Sequence, residues 1–300
     1  MRILHVDTGA EMRGGQRQAL LLMQALRNAG HECILLARKG SPLWEAAAGD
    51  FETHSAGLQS VWRWSTFSDV VHAHDARSHT LAAVASRRPF VVSRRVAFPV
   101  GDSALSQWKY GRAQRYLAVS RFAAGELVRA GVPESWIDVV YDAVPACEAS
   151  GEWKRQAPAV GLASEDPEKG CDLLESAAER AGIELRLSGA LEQDLKNASM
   201  FVYITRSEGL GSAALLAMSM GVPVIASNVG GLPEIVENGV SGLLVQNDIE
   251  NIAAAVLRLL SEEGLAEALR QNAKREVDAR FTPQRLLDAT LHSYRRALAR

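Results

Sequence analysis

The feature that most constrains this chain is an alternation, met twice, of short apolar runs with stretches of helical period. The first series runs RILHV (2–6), a helical stretch over 16–29, CILLA (33–37), DVVHA (69–73), a helix over 78–86, FVVS (90–93), a helix over 103–113, YLAVS (116–120), a helix over 121–130 and IDVVY (137–141). Strands of continuous apolar character separated by helices build parallel sheets covered on both faces. Residues 142–160 break the rhythm with small, polar and proline residues, which reads as a linker. It resumes with AVGLA (159–163), IELRL (183–187), MFVYI (200–204), PVIA (223–226) and GLLV (242–245), and residues 249–299 read as three helices, the last opening at Pro283. The expected fold class is therefore α/β, with two Rossmann-like, doubly wound parallel-sheet domains: an N-terminal domain over 1–147, a C-terminal domain over 148–282, and a terminal helix over 283–300 that crosses back to the first domain. With 300 residues, each domain is large enough to bury a core of its own.

In open parallel sheets ligands bind beyond the carboxyl ends of the strands, so the loops after the apolar runs are the places to look for chemistry. After the first strand, Gly14 and Gly15 precede a helix whose amides suit a phosphate, although the pattern is not the dinucleotide fingerprint G-x-G-x-x-G. In VVHAHDARSH, His72 and His74 stand two apart on a strand and so point to one side, with Asp75 and His79 close by. Three readings of these histidines stand open: a zinc site, histidines satisfied by backbone groups, and a cleft histidine touching substrate. Asp75 follows His74 directly, which departs from the hydrolase pattern His-x-His-x-Asp-His. In the second half Lys169 precedes Gly170 and a helix, where an ammonium suits a diphosphate, and Glu208 precedes the bare amides of Gly209, Leu210 and Gly211.

Charge is unevenly spread. Residues 1–147 carry 17 basic against 13 acidic residues, and the remainder 16 against 22; over 87–129 there are nine basic residues, Arg94, Arg95, Lys109, Arg112 and Arg115 among them, and only Asp102 and Glu126 are acidic. Such a segment favours an anionic neighbour, and with Trp108, Tyr110 and Tyr116 interleaved it suits an anionic membrane surface or a phosphate-bearing lipid. The three cysteines, Cys33, Cys147 and Cys171, are scattered, which argues against a disulfide framework or a zinc site. No apolar run approaches membrane-spanning length and the opening does not read as a secretory signal, so a cytoplasmic location is expected, peripheral at most to the inner face of a membrane.

Taken together, SEGLGSAALLAMSMGVPVIASNVGGLPEIVENGVSGLLV, RGGQRQ, HAHD, AVSRFAAGELVRAGVP and PEKG resemble the retaining family 4 glycosyltransferases of the GT-B fold, across essentially the whole chain. The resemblance implies metal-independent transfer of a sugar from a nucleoside-diphosphate sugar, bound between the lobes, to a hydroxyl of a glycan, glycolipid or lipopolysaccharide acceptor, some of them lipid-linked. No cofactor, metal or nucleic acid is implied beyond that co-substrate. By similarity Gly14 and Gly15 lie by the diphosphate, His74 by the transferred sugar, Lys169 on the phosphates and Glu208 on sugar hydroxyls, with Gly209, Leu210 and Gly211 close to both; Arg94, Arg95, Lys109, Arg112 and Arg115 lie on the acceptor or membrane side. The sequence departs from the family in two places: Leu216 stands where a second Glu usually holds the ribose, and the Arg of a Gly-Arg-Leu stretch upstream of the lysine is missing from VGLASEDPEKG. These departures keep open a non-catalytic, sugar-binding member of a glycan assembly complex. A dinucleotide oxidoreductase fits less well, since no glycine fingerprint follows the first strand.

Overall fold

A computed structural model describes residues 1–101, 103–147 and 151–299. Asp102 of the basic segment, residues 148–150 of the expected linker and Arg300 lie outside the described residues. The chain divides into two compact units, one formed by Met1–Asp142 with Pro283–Arg300 and the other by Ala143–Thr282.

The first unit holds β1 (Arg2–Val6), α1 (Gly14–Asn28), β2 (Glu32–Ala37), α2 (Pro42–Ala47), β3 (Glu52–Ser55), α3 (Leu58–Ser65), β4 (Val70–Ala73), α4 (Ala76–Ala85), β5 (Phe90–Arg94), α5 (Ala104–Tyr110), β6 (Arg115–Ala118), α6 (Arg121–Arg129) and β7 (Ile137–Val139). Its seven strands are all parallel, in the order β3-β2-β1-β4-β5-β6-β7. The fully buried strands are the continuous apolar runs of the sequence, as sheets covered on both faces require. The segment between CILLA and DVVHA carries a helix, an edge strand and a second helix that the apolar runs do not announce, because β3 reads Glu-Thr-His-Ser and is at most half-buried. A sheet edge tolerates such a polar strand.

The second unit holds β8 (Ala159–Leu162), α7 (Cys171–Ala181), β9 (Leu185–Ser188), α8 (Leu191–Leu195), β10 (Met200–Tyr203), α9 (Ser212–Ser219), β11 (Val224–Ser227), β12 (Leu243–Val245), α10 (Ile249–Ser261) and α11 (Leu265–Arg280). Its five parallel strands follow the order β12-β11-β10-β8-β9. Its core gathers Met200, Val202, Ile225 and Leu243 from the sheet with Ile252, Val256 and Leu269 from the last two helices. The final helix, α12 (Pro283–Leu298), belongs to the first unit, where it packs on α1, β5 and β6 and buries Tyr294 completely.

In each sheet the strand order reverses once. The switch lies between β1 and β4 in the first unit and between β8 and β10 in the second, so the loops after those four strands diverge and leave a crevice at the carboxyl edge.

Candidate functional site

At the switch point of the second unit, the loop after β8 ends in a turn of 3-10 helix, Pro167–Lys169, capped by the Asp166 side chain, which accepts from the Glu168 N–H at 3.0 Å. Gly170 follows at φ +57°, where a Cβ would also stand 2.9 Å from Ile204 Cγ2, so both conformation and space select glycine. The two switch-point loops are laced together: the Arg206 N–H donates to the Glu168 carbonyl at 2.7 Å, and the Thr205 hydroxyl donates to the same oxygen at 3.0 Å. Lys169 is thereby held against Glu208, with Nζ 3.2 Å from Oε2 and side-chain exposures of 29% and 17%. It is therefore not a freely solvated surface lysine.

Both oxygens of Glu208 are engaged. Oε1 accepts from the Gly209 N–H at 3.0 Å, and Oε2 accepts from the hydroxyl of buried Tyr203 as well as from Lys169. Glu208 and burial together push the Tyr203 phenol well above its ordinary pKa, burial being the larger cause, so it remains a donor. Gly209, Leu210 and Gly211 lead directly into α9, with Gly211 at φ +112° as its N-cap. A glycine pair fixes the height of this loop. The Gly231 N–H donates to the Glu208 carbonyl at 3.1 Å, and a Cβ at Gly230 or Gly231 would lie 2.0 Å from the Glu208 oxygen or 2.2 Å from the Gly209 oxygen. Gly230 and Gly231 thus let two backbones meet, a role that sequence reasoning did not assign. Leu216 lies on α9 and is half-buried.

At the switch point of the first unit, parallel pairing places His5 of β1 opposite His72 of β4. His74, just past β4, completes a buried trio, with His5 Nδ1 2.9 Å from His74 Nε2. His72 Nδ1 lies 2.7 Å from the Tyr294 hydroxyl and its Nε2 2.8 Å from the Ser93 hydroxyl. The Arg95 Nη1–H donates to His74 Nδ1 at 3.4 Å, while Arg95 Nε pairs with Asp142 at 3.2 Å. Burial keeps all three rings neutral, lowering His5 to about 3 and the other two well below the ordinary histidine range, and the Arg95 charge adds to the effect. Three imidazoles this close raise the zinc reading again. Their nitrogens, however, are spent on one another, on two hydroxyls and on a guanidinium, apart from His5 Nε2, and a cation would have to sit beside Arg95; the donor set fits a hydrogen-bond network and does not fit a metal. His79 lies apart from this trio, its Nε2 3.2 Å from the Lys109 carbonyl and its ring against Tyr110.

Gly14 and Gly15 are the first two residues of α1, not the loop before it. A Cβ at Gly15 would meet only Arg95 Cδ, at 3.9 Å, so packing within the unit does not demand glycine there. Asp7 organises the loop before the helix, accepting from the Gly9 N–H at 2.8 Å and the Gln16 amide at 3.1 Å, and burial raises its pKa. Asp75 caps α4 and accepts from the Thr8 N–H and hydroxyl, joining the two switch-point loops of this unit.

The five basic residues assigned to an acceptor or membrane side separate on burial. Arg115 is buried in a forked pair with Asp138 of the neighbouring strand, and Arg94 is buried against the Tyr110 hydroxyl and the Phe98 carbonyl, so neither lends its charge to a surface. Tyr116 is fully buried as well. Arg112 is exposed and Lys109 half-exposed, while Arg95 belongs with His74. Cys33 is buried, Cys147 and Cys171 are half-buried, and all three are free thiols.

Residues 166–276 match the family described as Glycosyl transferases group 1, and residues 12–146 match Glycosyltransferase Family 4. A D-inositol 3-phosphate glycosyltransferase of Mycobacterium marinum is 46% identical over 94 residues, 31% of this chain and 20% of that protein. The capsular polysaccharide biosynthesis glycosyltransferase CapM of Staphylococcus aureus is 35% identical over 89 residues, 29% of this chain and 23% of that protein. The matched stretches thus cover about a fifth of the length of these curated relatives. Among solved structures, Anabaena Alr3699/HepE in complex with UDP and glucose superposes with a TM-score of 0.85 at 16% identity, covering 97% of this chain and 98% of that one. A sucrose-phosphate synthase of Thermosynechococcus elongatus gives 0.77 at 17% identity, covering 100% and 99%. At such identities the likeness speaks for the fold, two parallel-sheet α/β units of the GT-B type.

Proposed function

Since the chain belongs to the family 4 glycosyltransferases, we propose that it transfers a sugar from a nucleoside-diphosphate sugar to an acceptor hydroxyl, with retention of anomeric configuration. One observation carries the reading. A lysine and a glutamate far apart in sequence meet at a switch point, beside glycine amides that open a helix. The ammonium and amides suit a departing diphosphate, whose charge grows as the glycosidic bond breaks, and the carboxylate suits sugar hydroxyls. Glu208 accepts three hydrogen bonds through its two oxygens, which fits a group that orients hydroxyls better than a nucleophile. In this reading the departing diphosphate itself receives the acceptor proton on the same face of the sugar, and Lys169 and the amides stabilise it there.

By family similarity Gly14, Gly15 and His74 of the first unit are assigned to binding a nucleoside-diphosphate sugar. Calorimetric titration with a panel of nucleoside-diphosphate sugars tests the donor assignment: at least one should bind, and Lys169→Ala should weaken it tenfold or more, as expected for a charged hydrogen bond worth about 1.5 to 3 kcal/mol. Equal binding by both proteins would remove Lys169 from the site.

We infer that the acceptor lies at an anionic lipid surface, and three helices of the first unit support this reading. Helix α4 neighbours both α3 and α5, and none of the three contains an acidic residue. They and the segments that follow α3 and α4 expose Leu58, Trp62, Phe67, Val84, Leu105 and Trp108, with Arg87 over the Trp62 ring at 5.0 Å and Arg112 over the Trp108 ring at 5.8 Å. Aromatic rings carrying guanidinium groups suit the boundary between acyl chains and anionic headgroups. Among the described residues no helix is long and apolar enough to cross a membrane, so attachment in this reading is from one side.

A further inference from the structure

His74 has no free ring nitrogen. Its Nε2 meets His5 Nδ1 at 2.9 Å and its Nδ1 meets Arg95 Nη1 at 3.4 Å. These contacts do not leave the proton's position open. A guanidinium only donates, so His74 Nδ1 must be the unprotonated nitrogen, and the neutral ring then carries its proton on Nε2. That N–H donates to His5 Nδ1, which fixes His5 in turn as the Nε2–H tautomer; His5 Nε2 is buried and has no partner among the described residues. The reverse arrangement, with His5 donating to His74, leaves a His74 Nδ1–H facing a positively charged N–H donor. The strands hold the geometry in place: His5 sits within β1, its ring stacks on His74 with centroids 5.2 Å apart, and His72, locked between Tyr294 and Ser93, lies 4.0 Å from His74 on another side.

We propose that Arg95 and His5 together fix the tautomer of His74, Arg95 by donating to Nδ1 and His5 as the positioning residue whose Nδ1 accepts the Nε2–H, so that His74 meets its ligand through an unprotonated Nδ1, as an acceptor. Of the two contacts, the 3.4 Å one to Arg95 is the looser, and Arg95 keeps Asp142 as an alternative partner, so Nδ1 is the atom that becomes available. An acceptor nitrogen pairs with a hydroxyl and repels a phosphate oxygen. The inference deepens the transferase reading, on which the presence of a ligand at His74 rests: His74 reads a hydroxyl of sugar or acceptor, and the diphosphate must be held by other groups.

The test is nitrogen NMR on protein labelled with 15N at its imidazoles, with His74 assigned from the signals missing in His74→Gln. At neutral pH the wild-type protein should show an unprotonated Nδ1 and a protonated Nε2 for His74; a protonated Nδ1 overturns the proposal. In His5→Gln, whose amide oxygen can still accept the Nε2–H, the pattern should persist, whereas in His5→Phe the buried Nε2–H loses its acceptor and the share of Nδ1–H should rise, because the 3.4 Å Arg95 contact is the looser one and Arg95 can turn to Asp142. An unchanged His74 pattern in a folded His5→Phe protein overturns the role of His5. Should His5→Phe fail to fold, the wild-type tautomer and His5→Gln still decide, because a His5→Gln protein with the opposite tautomer contradicts the acceptor role. None of these readings requires turnover, so a protein without transferase activity would sink the transferase reading and leave this result standing.

Discussion

Gly230→Ala isolates the contact that shapes the Glu208 loop. The added methyl would lie 2.0 Å from the Glu208 carbonyl oxygen and 3.3 Å from its nitrogen, and the backbone at φ +56° is one that alanine adopts reluctantly. The left-handed conformation alone costs about 1 to 2 kcal/mol. An overlap with a backbone carbonyl cannot be relieved by a side-chain rotation, so the loop must shift, at an overpacking cost of about 1 to 3 kcal/mol. Gly239→Ala supplies the control, since Gly239 has φ +76° and a Cβ there would meet nothing within 4 Å. It should cost only the conformational part, about 1 to 2 kcal/mol. Urea unfolding of both variants should therefore place Gly230→Ala about 1 to 3 kcal/mol below Gly239→Ala. Donor affinity should fall at least tenfold in the first variant, through the displaced Glu208 and Gly209, and stay unchanged in the second. Equal stability losses, or intact donor binding in a folded Gly230→Ala protein, would refute the claim that the glycine pair sets the loop.

Further outcomes follow from burial and exposure. His5 and His79 are held neutral by burial with pKa values near 3, so the unfolded chain takes up protons that the folded chain does not as pH falls below about 6.5; each should lower stability by about 1.4 kcal/mol per pH unit down to about pH 3, and a first-unit transition insensitive to pH between 7 and 5 would contradict this. Because Leu216 is half-buried, Leu216→Glu should cost no more than about 1 kcal/mol by thermal melting, and calorimetry should show tighter nucleotide-sugar binding if this residue faces the ribose; unchanged binding in a stable variant would remove it from the donor site. Sedimentation with liposomes should show salt-sensitive binding to anionic and not to neutral vesicles, weakened by Trp62→Ala with Trp108→Ala; equal, negligible binding to both would end the membrane reading.

Much of this architecture is legible in the sequence because fully buried parallel strands must be apolar along their length, and RILHV, FVVS and MFVYI are. The β3 strand is hidden because an edge needs no such run. Lys169, Glu208 and Gly209 to Gly211 stand out because they cluster at loop-to-helix junctions, where charge and bare amides have a recognisable use. His5 does not, since a single histidine inside an apolar strand looks like a packing residue; only the pairing of β1 with β4 brings it to His72 and His74. Tyr203 is hidden in the same way, reading as one more strand residue until its hydroxyl is seen on Glu208. Arg94 and Arg115 mislead in the opposite direction, because a count of charges along a segment cannot tell a buried arginine bound by Asp138 or an aromatic hydroxyl from an exposed one.

Turnover decides whether Lys169 and Glu208 serve the transfer of a sugar from a nucleoside diphosphate. Wild-type protein and Lys169→Ala would be incubated with a panel of nucleoside-diphosphate sugars and a mixture of glycan and lipid-linked acceptors, with the freed diphosphate quantified and the glycosylated product analysed by NMR. Wild-type protein should release nucleoside diphosphate matched by a product that keeps the donor's anomeric configuration, and Lys169→Ala should be slower by about a hundredfold or more, the loss expected when a group acting on developing charge is removed. A product of inverted configuration, or a Lys169→Ala rate within about threefold of wild type, would contradict it.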